Sequence, residues 1–253
     1  MFYLIGLGLK PKHLTLEAIE ALNKCEKVYL EFYTSKLAEE NELKKIIRKK
    51  IELLERKQVE EEFNEILNEA KKKNIALLVI GNPLIATTHM QLLLEAKKLK
   101  LKFKVIPGIS IKDFIGLSGL SDYKFGRTVS IPFYSENFKP ESFYDAIKKN
   151  YDNEMHSLCL LDIQKNKEKE KLMSVKEALE LLERIAKKRN EYWLFKTKII
   201  VLSNIGSKKQ RIVCGSLEKL KKEKFKSPAS IIITSKLNEK ELEFLNELIE
   251  SSD

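Results

Sequence analysis

The sequence predicts an α/β fold in two parts, the first built on a mostly parallel sheet flanked by helices. Three observations carry this. Short apolar runs alternate with segments whose apolar residues recur every three to four positions. Three apolar runs of the first half end in glycine-containing turns, at Gly8, Gly81 and Gly108. The 253 residues, 43% of them hydrophobic, suffice for one large domain or two of about 100–150 residues.

Taken in order, residues 2–7 form an apolar strand running into Gly6-Leu7-Gly8. Residues 14–23 carry Leu16, Ile19, Ala21 and Leu22 at helical spacing. Residues 27–32 read as a second strand and 51–54 as a weaker third. Val59, Phe63, Ile66, Leu67 and Ala70 fall on one face of an amphipathic helix. Residues 75–80 are an unbroken apolar run, the pattern of a strand buried on both faces. A helix follows over 92–99, then a strand over 103–106 that stops at Pro107-Gly108. This βαβα order predicts parallel strands with helices on both faces.

The second half starts near Tyr123. Strands are predicted at 128–131, 158–163, 199–202 and 231–234, with a further one at 211–214. Phe143 to Ile147 suggests a helix. Ser174 with Glu177 forms a capping box ahead of Ala178, Leu181, Leu182 and Ile185. Asn238 with Glu241 caps a last helix expected to bury Leu242, Leu245 and Ile249. The charged stretch 164–171 reads as an exposed loop or a fraying helix start. The expected division is residues 1–113, a linker region at 114–122, and residues 123–253.

Charged residues make up 33% of the chain, and the longest apolar runs are strand-sized, well short of the roughly 18 residues of a membrane span. The first residues lack a basic segment and a small-residue cleavage site, so no signal peptide is expected and a cytoplasmic location is. Cys25, Cys159 and Cys214 are widely spaced and no Cys-x-x-Cys occurs. Neither a zinc site nor a disulfide framework is supported, and no metal is expected. The net charge of +10 keeps a nucleic-acid partner in view. Lysines interspersed with glutamates on helix faces, with no arginine-rich block and no interleaved aromatics, favour an ordinary basic surface.

The segment Gly81-Asn82-Pro83-Leu84-Ile85-Ala86-Thr87-Thr88-His89 joins a buried strand to a helix. Ligands of open α/β sheets bind there, outside the carboxyl ends of parallel strands. Gly6-Leu7-Gly8-Leu9 and Pro107-Gly108-Ile109-Ser110-Ile111 are two further turns of this kind, which parallel strands would bring to the same edge. No third glycine completes Gly-x-Gly-x-x-Gly, which disfavours a dinucleotide site. Thr87, Thr88 and His89 open the following helix. They either line a pocket for an acceptor amine or carboxylate or, for His89, serve as a structural hydrogen-bonding residue. Glu31, at a strand end, either contacts substrate or pairs with a surface lysine. His13 and His156 have no comparable context.

These segments carry a family resemblance. Gly81 to His89 resembles the Gly-Asp-Pro-Leu-Val-Ala-Thr-Thr-His segment of diphthine synthases, methyltransferases of the tetrapyrrole-methylase superfamily. Residues 3–9, 29–35, 108–111, 116–120, 123–129, 160–164 and 173–174 resemble further segments of that family in the same order. The resemblance implies S-adenosylmethionine as cofactor, bound in a cleft between two α/β domains. Matching positions are Leu9, Asn82, Ile85, Ser110, Ile111, Gln164, Ile205 and Ser230. The family usually has Asp at Asn82 and His at Ser230. The implied reaction methylates the amino group of a 3-amino-3-carboxypropyl-histidine on translation elongation factor 2, in diphthamide biosynthesis, by a homodimeric enzyme. No residue stands out as a dedicated base, so no catalytic residue is named. Alternatives are a superfamily methylase acting on ribosomal RNA or a tetrapyrrole, and a non-enzymatic module that has lost cofactor affinity.

Overall fold

The computed structural model describes residues 1–31, 33, 40–165 and 170–250. Two compact units are present. One comprises residues 1–113 with 163–171, the other 114–162 with 172–253.

The first unit runs β1 (Phe2–Gly6), α1 (Leu16–Lys24), β2 (Lys27–Glu31), α2 (Glu40–Ile46), β3 (Ile51–Leu54), α3 (Arg56–Glu60), α4 (Asn64–Glu69), β4 (Ile75–Val79), α5 (Met90–Lys98) and β5 (Phe103–Ile106). Its five strands are all parallel, in the order β3-β2-β4-β1-β5. Side chains alternate across this sheet. Tyr3, Ile5, Val28, Leu30, Ala76 and Leu78 pack with Ala18, Ala21 and Leu22 of α1. Phe2, Leu4, Tyr29, Leu77 and Val79 pack with Val59, Phe63, Leu67, Leu92 and Leu93 on the other face. Both faces are therefore covered, which is why β1 and β4 are apolar at nearly every position. The edge strand β5 exposes Lys102 before it and Lys104 within it, charges that discourage edge-to-edge pairing.

Local chemistry fixes the helix ends. Thr15 caps α1 by accepting from the Ala18 amide at 3.1 Å. At its other end the Lys49 ammonium donates to the carbonyls of Leu22 and Asn23, each at 2.9 Å, and to that of Cys25. Unpaired C-terminal carbonyls are thus met by a cation, as the helix dipole favours.

The second unit contains β6 (Val129–Ile131), α6 (Ser142–Asp152), β7 (Ser157–Leu161), α7 (Val175–Lys188), α8 (Trp193–Lys196), β10 (Ile199–Ser203), β11 (Arg211–Gly215), α9 (Leu217–Lys222), β12 (Ala229–Ile233) and α10 (Glu239–Glu250). Its sheet is mixed, in the order β11-β10-β12-β7-β6, parallel only between β6 and β7. The core joins Tyr144 and Ile147 of α6, Leu179, Leu182 and Ile185 of α7, and Ile199, Val201, Ile231 and Ile233 of the sheet. Ser174 and Glu177 make the expected capping box of α7.

Four details differ from the sequence expectation or refine it. The helix expected over 59–70 is two short helices, α3 and α4, broken around Glu61. Glu60, Glu61 and Glu62 oppose the C-terminal dipole of α3 but suit the N-terminal approach to α4. Leu16 is 80% exposed, and Ala18 replaces it on the buried face of α1. On α10 Leu242 is 44% exposed whereas Leu245 and the Glu241 side chain are buried; the side chain of Ile249 lies outside the described residues. The stretch 164–171 begins and ends in β8 (Ile163–Lys165) and β9 (Glu170–Leu172), a two-stranded sheet, and residues 166–169 lie outside the described residues.

Candidate functional site

The parallel order of the first sheet places the ends of β1, β4 and β5 side by side. Here three glycine turns meet backbone to backbone. A side-chain carbon on Gly108 would lie 2.3 Å from the Gly81 carbonyl oxygen and 2.7 Å from the Gly6 carbonyl carbon. One on Gly6 would lie 2.4 Å from the Gly108 nitrogen. No side chain fits at either position, so glycine is the residue that permits this approach. The Gly8 amide donates to the Gly81 oxygen at 3.2 Å, and the Gly81 amide to the Gly8 oxygen at 2.9 Å. Gly8 and Gly81 both hold positive φ, 72° and 83°.

Gly81 differs from its neighbours in one respect. It is buried, yet a side-chain carbon there would meet no atom within 4 Å. Its α-carbon faces open space beside the backbone, as a ligand cradle requires.

The loop after Gly81 is held by its own polar groups. Asn82 Oδ1 accepts from the Leu84 amide at 3.0 Å, an Asx turn. Ala86 has a positive φ of 56°, uncommon for a residue with a side chain. The Pro83 carbonyl accepts from the Thr87 hydroxyl at 2.6 Å and lies 3.2 Å from His89 Nδ1. His89 Nε2 lies 3.2 Å from Glu31 Oε2, with both side chains buried. Thr87 is half-buried, Thr88 is exposed, and His89 is turned into the protein.

The other positions matched by the resemblance are placed as follows. Leu9 is half-buried, and its amide donates to His13 Nδ1 at 3.3 Å. His13, which the sequence singled out for nothing, packs against Gly8. Burial, and then the charge of Lys10, lower its pKa, consistent with a ring nitrogen that accepts. Ser110 is buried; its amide and hydroxyl donate to Asp113 Oδ2 at 2.6 and 2.9 Å. Ile85 and Ile111 are half-buried and Gln164, on β8, is exposed. Ile205 and Ser230 belong to the second unit: Ile205 is buried in the turn after β10, Ser230 in β12 opposite Leu202 and Leu160. Leu9, Asn82, Ile85, Ser110 and Ile111 thus share the glycine-lined sheet edge.

The pairing of Glu31 with His89 was not legible in the sequence. The two residues are 58 positions apart, and only the adjacency of β2 and β4 brings them together. Among the described residues no group of three metal-ligating side chains gathers, and no helix is long and apolar enough to cross a membrane.

Residues 1–221 match the family described as Tetrapyrrole (Corrin/Porphyrin) Methylases. The chain is 40% identical to a diphthine synthase of Methanococcus aeolicus, covering 99% of both chains. It is 38% identical to a diphthine methyl ester synthase of Bos taurus, over 97% of this chain and 94% of the other. A crystal structure of a diphthine synthase superposes with a TM-score of 0.86 at 30% identity, covering 99% of this chain and 96% of that one. A parallel sheet with a glycine-built edge, a second mixed sheet, the family match over residues 1–221 and relatives aligned over nearly the whole chain place it in the tetrapyrrole methylase family, among the diphthine synthase methyltransferases.

Proposed function

We propose that the protein transfers methyl groups from S-adenosylmethionine to the amino group of a 3-amino-3-carboxypropyl-histidine on translation elongation factor 2, the step that yields diphthine. The observation that carries this reading is the open space beside the buried Gly81 backbone, at the edge where Gly6, Gly8 and Gly108 exclude side chains. A flat, polar cofactor can approach a backbone only where side chains are absent. Leu9, Asn82, Ile85, Ser110 and Ile111 would hold it at this edge of the first unit, to which Gln164 also belongs. Asn82 keeps an acceptor where the family resemblance implies a charged Asp, and that acceptor already shapes the turn. Any cofactor ammonium there would meet a dipole in place of a charge.

S-adenosylmethionine supplies a methyl group already activated by a sulfonium. The residues of the chain have positioning and water exclusion left to do. Thr87 and Thr88, with His89 behind them, stand at the start of α5, where backbone amides favour a substrate carboxylate. No side chain at this edge is assigned as a base. The elongation factor carrying the unmethylated precursor, incubated with the protein and S-adenosylmethionine, is expected to gain methyl mass by mass spectrometry. Three methyl groups indicate the trimethylamine product, and a fourth a methyl ester. Label in RNA with none in the factor would overturn the substrate assignment.

A homodimer in the cytoplasm is part of the same reading. Met90 and Leu94 lie one turn apart on α5 and are 54% and 47% exposed, and Leu84 nearby is 39% exposed. An exposed apolar strip of this kind suits an interface. Sedimentation should give the mass of a dimer at micromolar concentration; a monomer would contradict it.

A further inference from the structure

Glu31 and His89 are 0% and 1% exposed. Tyr29 and Tyr33, two residues either side of Glu31, and Leu92, three after His89, belong to one apolar core with Leu54, Val59 and Val79. A carbonyl oxygen can only accept, so His89 Nδ1, 3.2 Å from the Pro83 oxygen, carries a hydrogen. The contact of Nε2 with Glu31 Oε2 at 3.2 Å needs one more proton, on the ring or on the carboxyl. In either form the pair shares a single proton. The Tyr33 hydroxyl is buried as well. Burial first, and then the Glu31 charge, push its pKa up.

Such a cluster is an expensive way to fill a core. Apolar side chains of the same volume are often as stable as a buried pair, and the pair's distinctive property is that it admits one geometry. What it fixes is the loop. Through Pro83 the His89 ring is tied to the same carbonyl that receives Thr87, and through Glu31 it is tied to the end of β2.

We propose that Glu31 and His89 are positioning residues for the methyl donor: their shared-proton pair holds the 81–88 loop in the shape that receives it. This rests on the reading of the glycine edge as an S-adenosylmethionine site. Neither side chain touches the donor; each acts through the loop backbone.

The test compares the wild type with Glu31→Gln, His89→Asn and the double variant. The readouts are S-adenosylmethionine affinity by calorimetry, KM and kcat for methyl transfer, and thermal unfolding. Each single variant is expected to weaken donor affinity and raise its KM by about tenfold or more, with kcat less affected. The double variant is expected to lose no more than the worse single, because the two act as one unit. Folded variants that bind the donor like the wild type would overturn the proposal, as would additive losses in the double. A merely structural role would lower Tm and the active fraction and leave KM unmoved. Should a variant not fold, nitrogen NMR of the wild-type ring decides: a hydrogen-bearing Nδ1 supports the lock and a bare one ends it. A wild type that binds no donor would sink the cofactor reading itself, a result separate from both.

Discussion

Replacing Gly81 by alanine is expected to abolish S-adenosylmethionine binding while leaving the fold intact, and replacing Gly108 by alanine is expected to damage the fold itself. The two glycines stand at ends of the same sheet yet are needed for different reasons. At Gly81 the added carbon meets nothing within 4 Å. The cost to stability is the strain of holding alanine at a φ of 83°, roughly 1–3 kcal/mol. The methyl would, however, fill the open space beside the Gly81 backbone, where the proposed function seats the cofactor. At Gly108 the φ is ordinary, but the carbon would lie 2.3 Å from one backbone oxygen and 2.7 Å from a backbone carbon. Backbone on two strand ends would have to move, and overpacking of this kind costs about 3 kcal/mol or more. Thermal unfolding and calorimetry on both variants separate the two effects. A Gly81→Ala protein that binds with wild-type affinity would remove the main support for the cradle.

Much of this site was legible in the sequence, for a physical reason. Parallel strands align their carboxyl ends, so glycine turns after three apolar runs had to share an edge. Alternating burial made β1 and β4 readable as two-faced strands, and capping chemistry marked the starts of α7 and α10. Long-range partners and the distances within the edge were not readable. Neither Glu31 nor His89 carries any sign of the other, since their pairing depends on which strands become neighbours. The same is true of His13, which fits Gly8 only once the loop has closed. The break between α3 and α4 was hidden because Val59, Phe63 and Leu67 keep helical spacing on either side of it. Leu242 and Glu241 illustrate a different limit. Hydrophobic spacing predicted a buried leucine, but a carboxylate with enough donors around it took the buried place.

That carboxylate is the basis of the second large effect: Glu241→Gln is expected to destabilise the second unit by about 3–5 kcal/mol, lowering Tm by on the order of 10 °C. Four donors converge on Glu241. They are the amides of Ser121 and Asn238 at 3.0 and 2.9 Å, the Lys124 ammonium at 2.8 Å and His156 Nε2 at 3.3 Å. The Ser235 amide donates to His156 Nδ1 at 3.0 Å, so Nε2 bears the hydrogen and the ring is neutral. A glutamine would offer one oxygen and turn an NH2 toward groups that are themselves donors. The isosteric change therefore removes acceptors as well as charge, and leaves Lys124 without its counter-ion.

Burial alone would raise the Glu241 carboxyl, but its hydrogen bonds, that of Lys124 foremost, outweigh burial and hold it down to about 2. Burial likewise lowers the pKa of His156, against the opposing pull of Glu241. Both groups bind protons more readily when the chain is unfolded, so stability is lost as the pH is lowered. The loss begins below about 6.5, where an unfolded histidine takes up a proton. It deepens between about 4.5 and 2, where the carboxylate contribution of roughly 3 kcal/mol disappears. Chemical denaturation across this range should show both steps in the wild type and only the upper one in Glu241→Gln. Glu180, an exposed partner of Lys176 at 3.8 Å, provides the control, since Glu180→Gln should change stability by less than about 1 kcal/mol. An acid limb that Glu241→Gln leaves unchanged would mean that the four donors are satisfied by solvent instead, and that α10 is held by Leu245 and its apolar neighbours alone.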